Sequence, residues 1–195
     1  MFIVLYGINN IGKSTQILAL ADKFRAAGKT VKVLKYPVYD LEPTGPRINA
    51  LLRNPNTEKI SGEEFQMLYI RNRLDYEPQV LSDLERYIVV LAEDYIGTGM
   101  AWGMTQGLAF KKIEELNQKY PQKKPDLEIL LDGNRFLSGK EASHRNEQDD
   151  RAVEETRKNF LFLAKKFHWP IVSANQQKEE ITKKLWDTIV TFSYC

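Results

Sequence analysis

The chain has 195 residues, which points to one domain spanning 1–195, with room for a short lid. With 43% hydrophobic and 28% charged residues it can bury a core and stay in solution. Its net charge of +2 is too small to make nucleic acid or an anionic membrane the expected partner, and Lys111-Lys112, Lys123-Lys124 and Lys183-Lys184 read as solvated faces. The single cysteine, Cys195, allows no internal disulfide, which fits a reducing, cytoplasmic compartment. No stretch reaches membrane-spanning length, and no basic residues precede the N-terminal apolar run, so no signal peptide is expected.

The first apolar run, Phe2–Tyr6, predicts a strand. Gly7-Ile8-Asn9-Asn10-Ile11-Gly12-Lys13-Ser14 follows it, with Thr15 behind, and fits G-x-x-x-x-G-K-[ST], the phosphate-binding P-loop. Glycines let such a loop curl so that successive N–H groups converge on one anion, and the helix N-terminus behind adds partial positive charge. Gly7, Asn9, Asn10, Ile11, Gly12, Lys13, Ser14 and Thr15 are therefore candidate ATP ligands. Lys13 would reach the β- and γ-phosphates, and Ser14 would bind Mg²⁺.

Ile17, Leu20, Ala21 and Phe24 give the first helix one apolar face, and Gly28 stops it. Val31–Leu34 alternates, as an edge strand does. Tyr36, Pro37, Tyr39 and Arg47 then crowd near that strand's end, where two rings and a guanidinium can form an acceptor pocket. A second helix is predicted over Arg47–Arg53. A third starts at the capping box Ser61/Glu64 and runs towards Arg86, with a bend near Pro78. On it Phe65, Tyr69 and Arg73 recur every four residues and share a face, which suits either core packing or a nucleobase site.

Tyr87–Ala92 has no charge and predicts a central strand. Ligands of parallel α/β sheets bind beyond the carboxyl ends of the strands, which singles out Glu93 and Asp94. One of these carboxylates would serve Mg²⁺ or accept a proton; which one faces inward the sequence leaves open. A fourth helix is predicted over roughly Ala101–Gln118, with Trp102 available to close the pocket. Leu127–Leu131 predicts the next strand. Gly139–Asp150 is polar without an apolar face, the composition of a lid, spanning approximately 134–150, or of a solvated loop; Lys140, His144 and Arg145 would reach the phosphates from it. A helix over about Asp150–Phe167, a strand at Ile171–Ser173 and a helix over about Gln177–Val190 complete the chain. The alternation of strand and helix predicts an α/β fold with a five-stranded parallel sheet flanked by helices.

The order of these motifs resembles that of thymidylate kinases, within the P-loop nucleoside-monophosphate kinases. The resemblance rests on the P-loop, Tyr36-Pro37, Tyr69-Ile70-Arg71-Asn72-Arg73, Glu93-Asp94-Tyr95-Ile96-Gly97-Thr98-Gly99, Lys124-Pro125-Asp126-Leu127 and Ser173-Ala174-Asn175. It implies Mg²⁺-dependent transfer of a phosphoryl group from ATP to a nucleoside monophosphate, with dTMP the first expectation, by a homodimer. It also implies that Tyr69 stacks on the base, Arg73 bonds it, Trp102 lies near the sugar, and Asn175 lies near the donor's adenine. Lys13, Glu93 and Arg145 would carry catalysis. The chain departs from the family pattern at several positions: Asp94 and Tyr39 stand where phosphate-binding arginines are usual, Asn9 where an acidic residue is often found and Asn10 where an arginine sometimes is. A kinase for another nucleotide or nucleoside, or a non-catalytic ATP-binding module, therefore stays open on sequence.

Overall fold

The computed structural model describes residues 1–54, 56–136 and 149–193. Five strands form one parallel sheet in the order β2-β3-β1-β4-β5. They are β1 (Phe2–Tyr6), β2 (Val31–Lys35), β3 (Val89–Glu93), β4 (Leu127–Asp132) and β5 (Ile171–Ser173). The fold is thus the expected α/β class. Every residue of β1 and β3 is buried, because helices cover both faces, which is why each reads as an unbroken apolar run. The alternating β2 lies at one edge.

The described helices are α1 (Lys13–Ala26), α2 (Thr44–Arg53), α3 (Gly62–Arg86), α4 (Ile96–Thr105), α5 (Phe110–Lys119), α6 (Asp150–Phe167) and α7 (Lys178–Ser193). The Ser61/Glu64 capping box forms as predicted, and α3 continues through Pro78 as one helix. Helix α2 begins at Thr44, earlier than predicted, since Pro46 falls in its first turn, where the missing N–H has no intrahelical partner. Strand β3 begins at Val89 rather than Tyr87, because Tyr87 still caps α3 and donates its N–H to the Asp83 carbonyl at 2.8 Å.

The single helix predicted over Ala101–Gln118 is in fact two, α4 and α5. Gly107, at φ +90°, ends the first. Helix α4 also starts five residues before the predicted point. Its glycines are there for close approach rather than flexibility: a Cβ on Gly97 would stand 2.5 Å from the Trp169 ring and 2.9 Å from the Tyr6 ring.

This topology gathers the carboxyl ends of the strands at one edge of the sheet. The P-loop leaves β1 at its centre, flanked by the ends of β3 and β4. No described helix is long and apolar enough to cross a membrane.

Candidate active site

The loop after β1 folds as its motif demands. Gly7 (φ +152°), Asn10 (φ +61°) and Gly12 (φ +95°) take conformations that turn the chain tightly into α1. A side chain at Gly7 would collide with the Leu131 carbonyl at 2.6 Å. Lys13 is almost fully buried, its Nζ donating to the carbonyls of Gly7 (2.8 Å) and Ile8 (3.0 Å). It also lies 3.6 Å from Asp94 Oδ1.

Both carboxylates at the end of β3, Glu93 within it and Asp94 just after, face inward. Side chains alternate along a strand, but Asp94 leaves β3 at φ +63°, so Glu93 and Asp94 border the same cavity. Glu93 pairs in the sheet with Lys35 of β2, which places the Lys35 ammonium 3.0 Å from it. Ser14 Oγ donates to Glu93 Oε2 at 2.6 Å. Burial opposes charge on Glu93, but Lys13, Lys35 and the Ser14 hydroxyl outweigh it and hold the carboxyl below its ordinary range. Asp94 goes the other way: burial, reinforced by neighbouring Glu93, pushes it up against the pull of Lys13 and the Thr98 Oγ1 hydrogen bond (2.8 Å).

These groups form one wall of a cavity of about 540 Å³. Asn9, Asn10, Gly12, Lys13, Ser14 and Thr15 border it, and so do Tyr36, Pro37, Tyr69, Arg73 and Trp102. The expected acceptor residues are thus brought together with the P-loop, except for Arg47. That residue is exposed and bonds Glu58 through Nε (3.1 Å) and Nη2 (2.7 Å), outside the cavity. Gly7 and Ile11 do not border it either: Gly7 supplies a carbonyl to Lys13, and Ile11 packs into the core.

Tyr69 stacks on buried Phe65, ring centroids 4.8 Å apart. Arg73 is 3% exposed, and no carboxylate among the described residues pairs with it. Instead its Nε donates to Gln122 Oε1 and its Nη2 to Asn117 Oδ1 (3.4 Å), while the Tyr95 ring lies 5.8 Å from its guanidinium carbon. Burial lowers its proton affinity. Held, among the described residues, by neutral amides and rings, this cation keeps its charge for a ligand. Sequence reasoning missed Gln122 and Asn117, and also Asn72, which pins the loop after β2 through the Val38 N–H (2.8 Å) and carbonyl (2.9 Å).

A second hollow, about 650 Å³, lies beyond the P-loop and is bordered by Arg135, Phe136, Asn175 and Gln176. Asn175 Oδ1 accepts from the Asn134 N–H at 2.8 Å. Phe136 borders both hollows, and its N–H donates to the Asn10 carbonyl at 2.7 Å. Lys140, His144 and Arg145, expected to act from a lid, lie outside the described residues.

A phosphate loop at the head of the central strand, with adjoining hollows on either side of Phe136, defines a P-loop phosphotransferase built to hold a donor and an acceptor together. Comparison with known proteins narrows that class. The thymidylate kinase family model matches residues 5–185. A probable thymidylate kinase of Pyrococcus abyssi is 31% identical over 198 residues, covering 92% of this chain and 91% of its own. The thymidylate kinase of Maridesulfovibrio salexigens is 30% identical, covering 97% and 95%. A solved thymidylate kinase from Candida albicans shares the fold, with a TM-score of 0.81 over 97% of this chain and 91% of its own at 23% identity. The chain belongs to the thymidylate kinase family, and it is an ATP-dependent nucleoside-monophosphate kinase.

Proposed function

We propose that this kinase transfers the γ-phosphoryl group of ATP to the phosphate of dTMP, giving dTDP and ADP. The observation that carries the reading is the continuity of one cavity from Lys13 and Ser14 to Tyr69, Arg73 and Trp102. The relatives named above support the choice of acceptor.

In this reading the P-loop N–H groups and Lys13 hold the donor's β- and γ-phosphates, and Asn175 lies beside the adenine. Binding draws Lys13 from the Gly7 and Ile8 carbonyls onto the phosphates. The hydroxyl of Ser14 and the ionised carboxylate of Glu93, 2.6 Å apart, are hard oxygen donors that fit Mg²⁺, directly or through water. When bound, that ion neutralises charge on the donor phosphates. Tyr69 covers one face of the thymine ring, Arg73 bonds a ring carbonyl, and Trp102 borders the sugar. Asp94 is engaged by Lys13 and Thr98. The chemistry is then positioning and charge neutralisation rather than covalent catalysis. Lys140, His144 and Arg145 would add positive charge as a lid. The enzyme would work as a cytoplasmic homodimer, a state that sedimentation tests.

Lys13→Ala tests the reading. ADP release from Mg·ATP with dTMP should fall by at least about a hundredfold, the scale for losing a group that stabilises transition-state charge. An unchanged rate in the folded variant would end it.

A further inference from the structure

Resting on the proposed dTMP acceptor, we propose that Glu128 is a positioning residue for that site: through the hydroxyl of Tyr6 it caps helix α4 from the sheet, and so fixes where Thr98 and Trp102 stand. Glu128 has no part in the chemistry above. It lies on β4, partly buried, and its partners are a hydroxyl and an indole rather than a lysine or arginine. Tyr6 Oη donates to its Oε1 at 2.7 Å, and Trp169 Nε1 donates to its Oε2 at 3.0 Å. Burial outweighs both bonds and pushes the carboxyl up. Placing such a group under the sheet is costly, and what it achieves lies on the far side of the Tyr6 hydroxyl.

Sheet register sets up the contact. Glu128 pairs with Val4 of β1, and Tyr6, two residues beyond Val4, projects from the same face. Its fully buried ring, 4.5 Å from that of Trp169, reaches the first turn of α4. There the Gly97 N–H donates to Tyr6 Oη at 3.2 Å. A hydroxyl has one proton to give. Given to Glu128, it leaves the oxygen lone pairs to Gly97, so the carboxylate sets the direction of both bonds. Burial, with Glu128 beside it, keeps that proton on the phenol.

Helix α4 depends on this outside help. The first N–H groups of any helix lack intrahelical partners. Here Tyr95, at the N-cap, makes no side-chain bond to them, and the first turn holds no acidic residue. Glu128 supplies, one hydroxyl removed, the oxygen and the negative charge that a capping residue would bring. The helix in turn carries Thr98, Gly99 and Trp102 to the cavity wall. Without its cap the first turn frays, and only the ordered fraction binds acceptor, so the apparent affinity falls by that fraction. The phosphate loop is held by β1 and α1 and needs no such cap.

Amide hydrogen exchange read by NMR tests the cap in the wild type. Gly97 should exchange at least about tenfold more slowly than an amide at an open helix start. Exchange at the open-end rate would overturn the proposal. Titration calorimetry then tests the link to the site, in Tyr6→Phe, which keeps the ring, and in Glu128→Gln, which has one acceptor atom for two donors. Each should speed Gly97 exchange and weaken dTMP binding about three- to tenfold, the value of one buried hydrogen bond, while ATP binding stays within about twofold. The KM for dTMP should rise by the same factor with kcat within about twofold. Equal losses for dTMP and ATP would make the pair a general structural element and overturn the proposal, as would wild-type dTMP affinity in folded Tyr6→Phe. If neither variant folds, Gly97 exchange in the wild type decides. A wild type that does not bind dTMP would remove the acceptor reading and the positioning role with it, whereas slow Gly97 exchange would still establish the cap.

Discussion

Replacing Arg73 by methionine should separate binding from stability. The guanidinium is 3% exposed and has amide oxygens and ring faces as partners rather than a carboxylate. Removing it costs the Gln122 hydrogen bond, about 1 kcal/mol, and part of the longer Asn117 bond. It also strands the buried Gln122 oxygen, a further 1–2 kcal/mol or roughly so. Against these stands relief from burying an uncompensated charge, which is worth several kcal/mol. Methionine keeps most of the apolar volume that the buried arginine stem already fills, so the burial term changes little. The sum leaves the ligand-free protein within about 2 kcal/mol of the wild type. Binding of dTMP has no such compensation and should weaken about ten- to a hundredfold through loss of charged hydrogen bonds. Urea unfolding of the free protein and dTMP titration read the two effects separately. A stability loss above about 4 kcal/mol with the dTMP affinity intact would make Arg73 a structural ion and refute the reasoning.

Gly97→Ala drives a methyl group to 2.5 Å from Trp169 and 2.9 Å from Tyr6, both buried rings. It should cost about 3 kcal/mol by overpacking, visible in the urea midpoint; a change under about 1 kcal/mol would show the α4 packing is misjudged. Arg47→Ala removes an exposed pair with Glu58 and should shift stability by less than about 1 kcal/mol and dTMP KM by less than about twofold. A large KM increase would return Arg47 to the acceptor site. The Glu93 carboxyl lies below 4.5 in the folded chain and near it when unfolded, so its stabilisation is full above pH 4.5 and disappears as pH falls through the folded value. Urea midpoints measured from about pH 3 to 6 should therefore slope less steeply in Glu93→Gln than in the wild type; equal slopes would contradict Lys13, Lys35 and Ser14 as the cause.

The residues differ in how openly their roles could be read. Phe2–Tyr6 and the P-loop were legible because buried parallel strands are apolar throughout and the loop needs glycines at fixed places. The start of α4 was not, since Gly97 and Gly99 look like helix breakers until Tyr6, Trp169 and Arg73 are seen against them. That both Glu93 and Asp94 face the cavity depends on the positive φ of Asp94, which nothing nearby in the sequence announces. Gln122 and Asn117 carry no motif; only the packing of α3 against α5 brings their amides to Arg73. That Arg47 lies outside the cavity required knowing which face α2 turns to it, a fact set by its packing on α3.

The most direct test of the account is ADP release from Mg·ATP across a panel of acceptors: dTMP, dUMP, the other nucleoside monophosphates, and thymidine. The account predicts the highest kcat/KM for dTMP, with thymidine far behind. Preference for a different acceptor, or no transfer to any of them by protein that binds ATP, would contradict it.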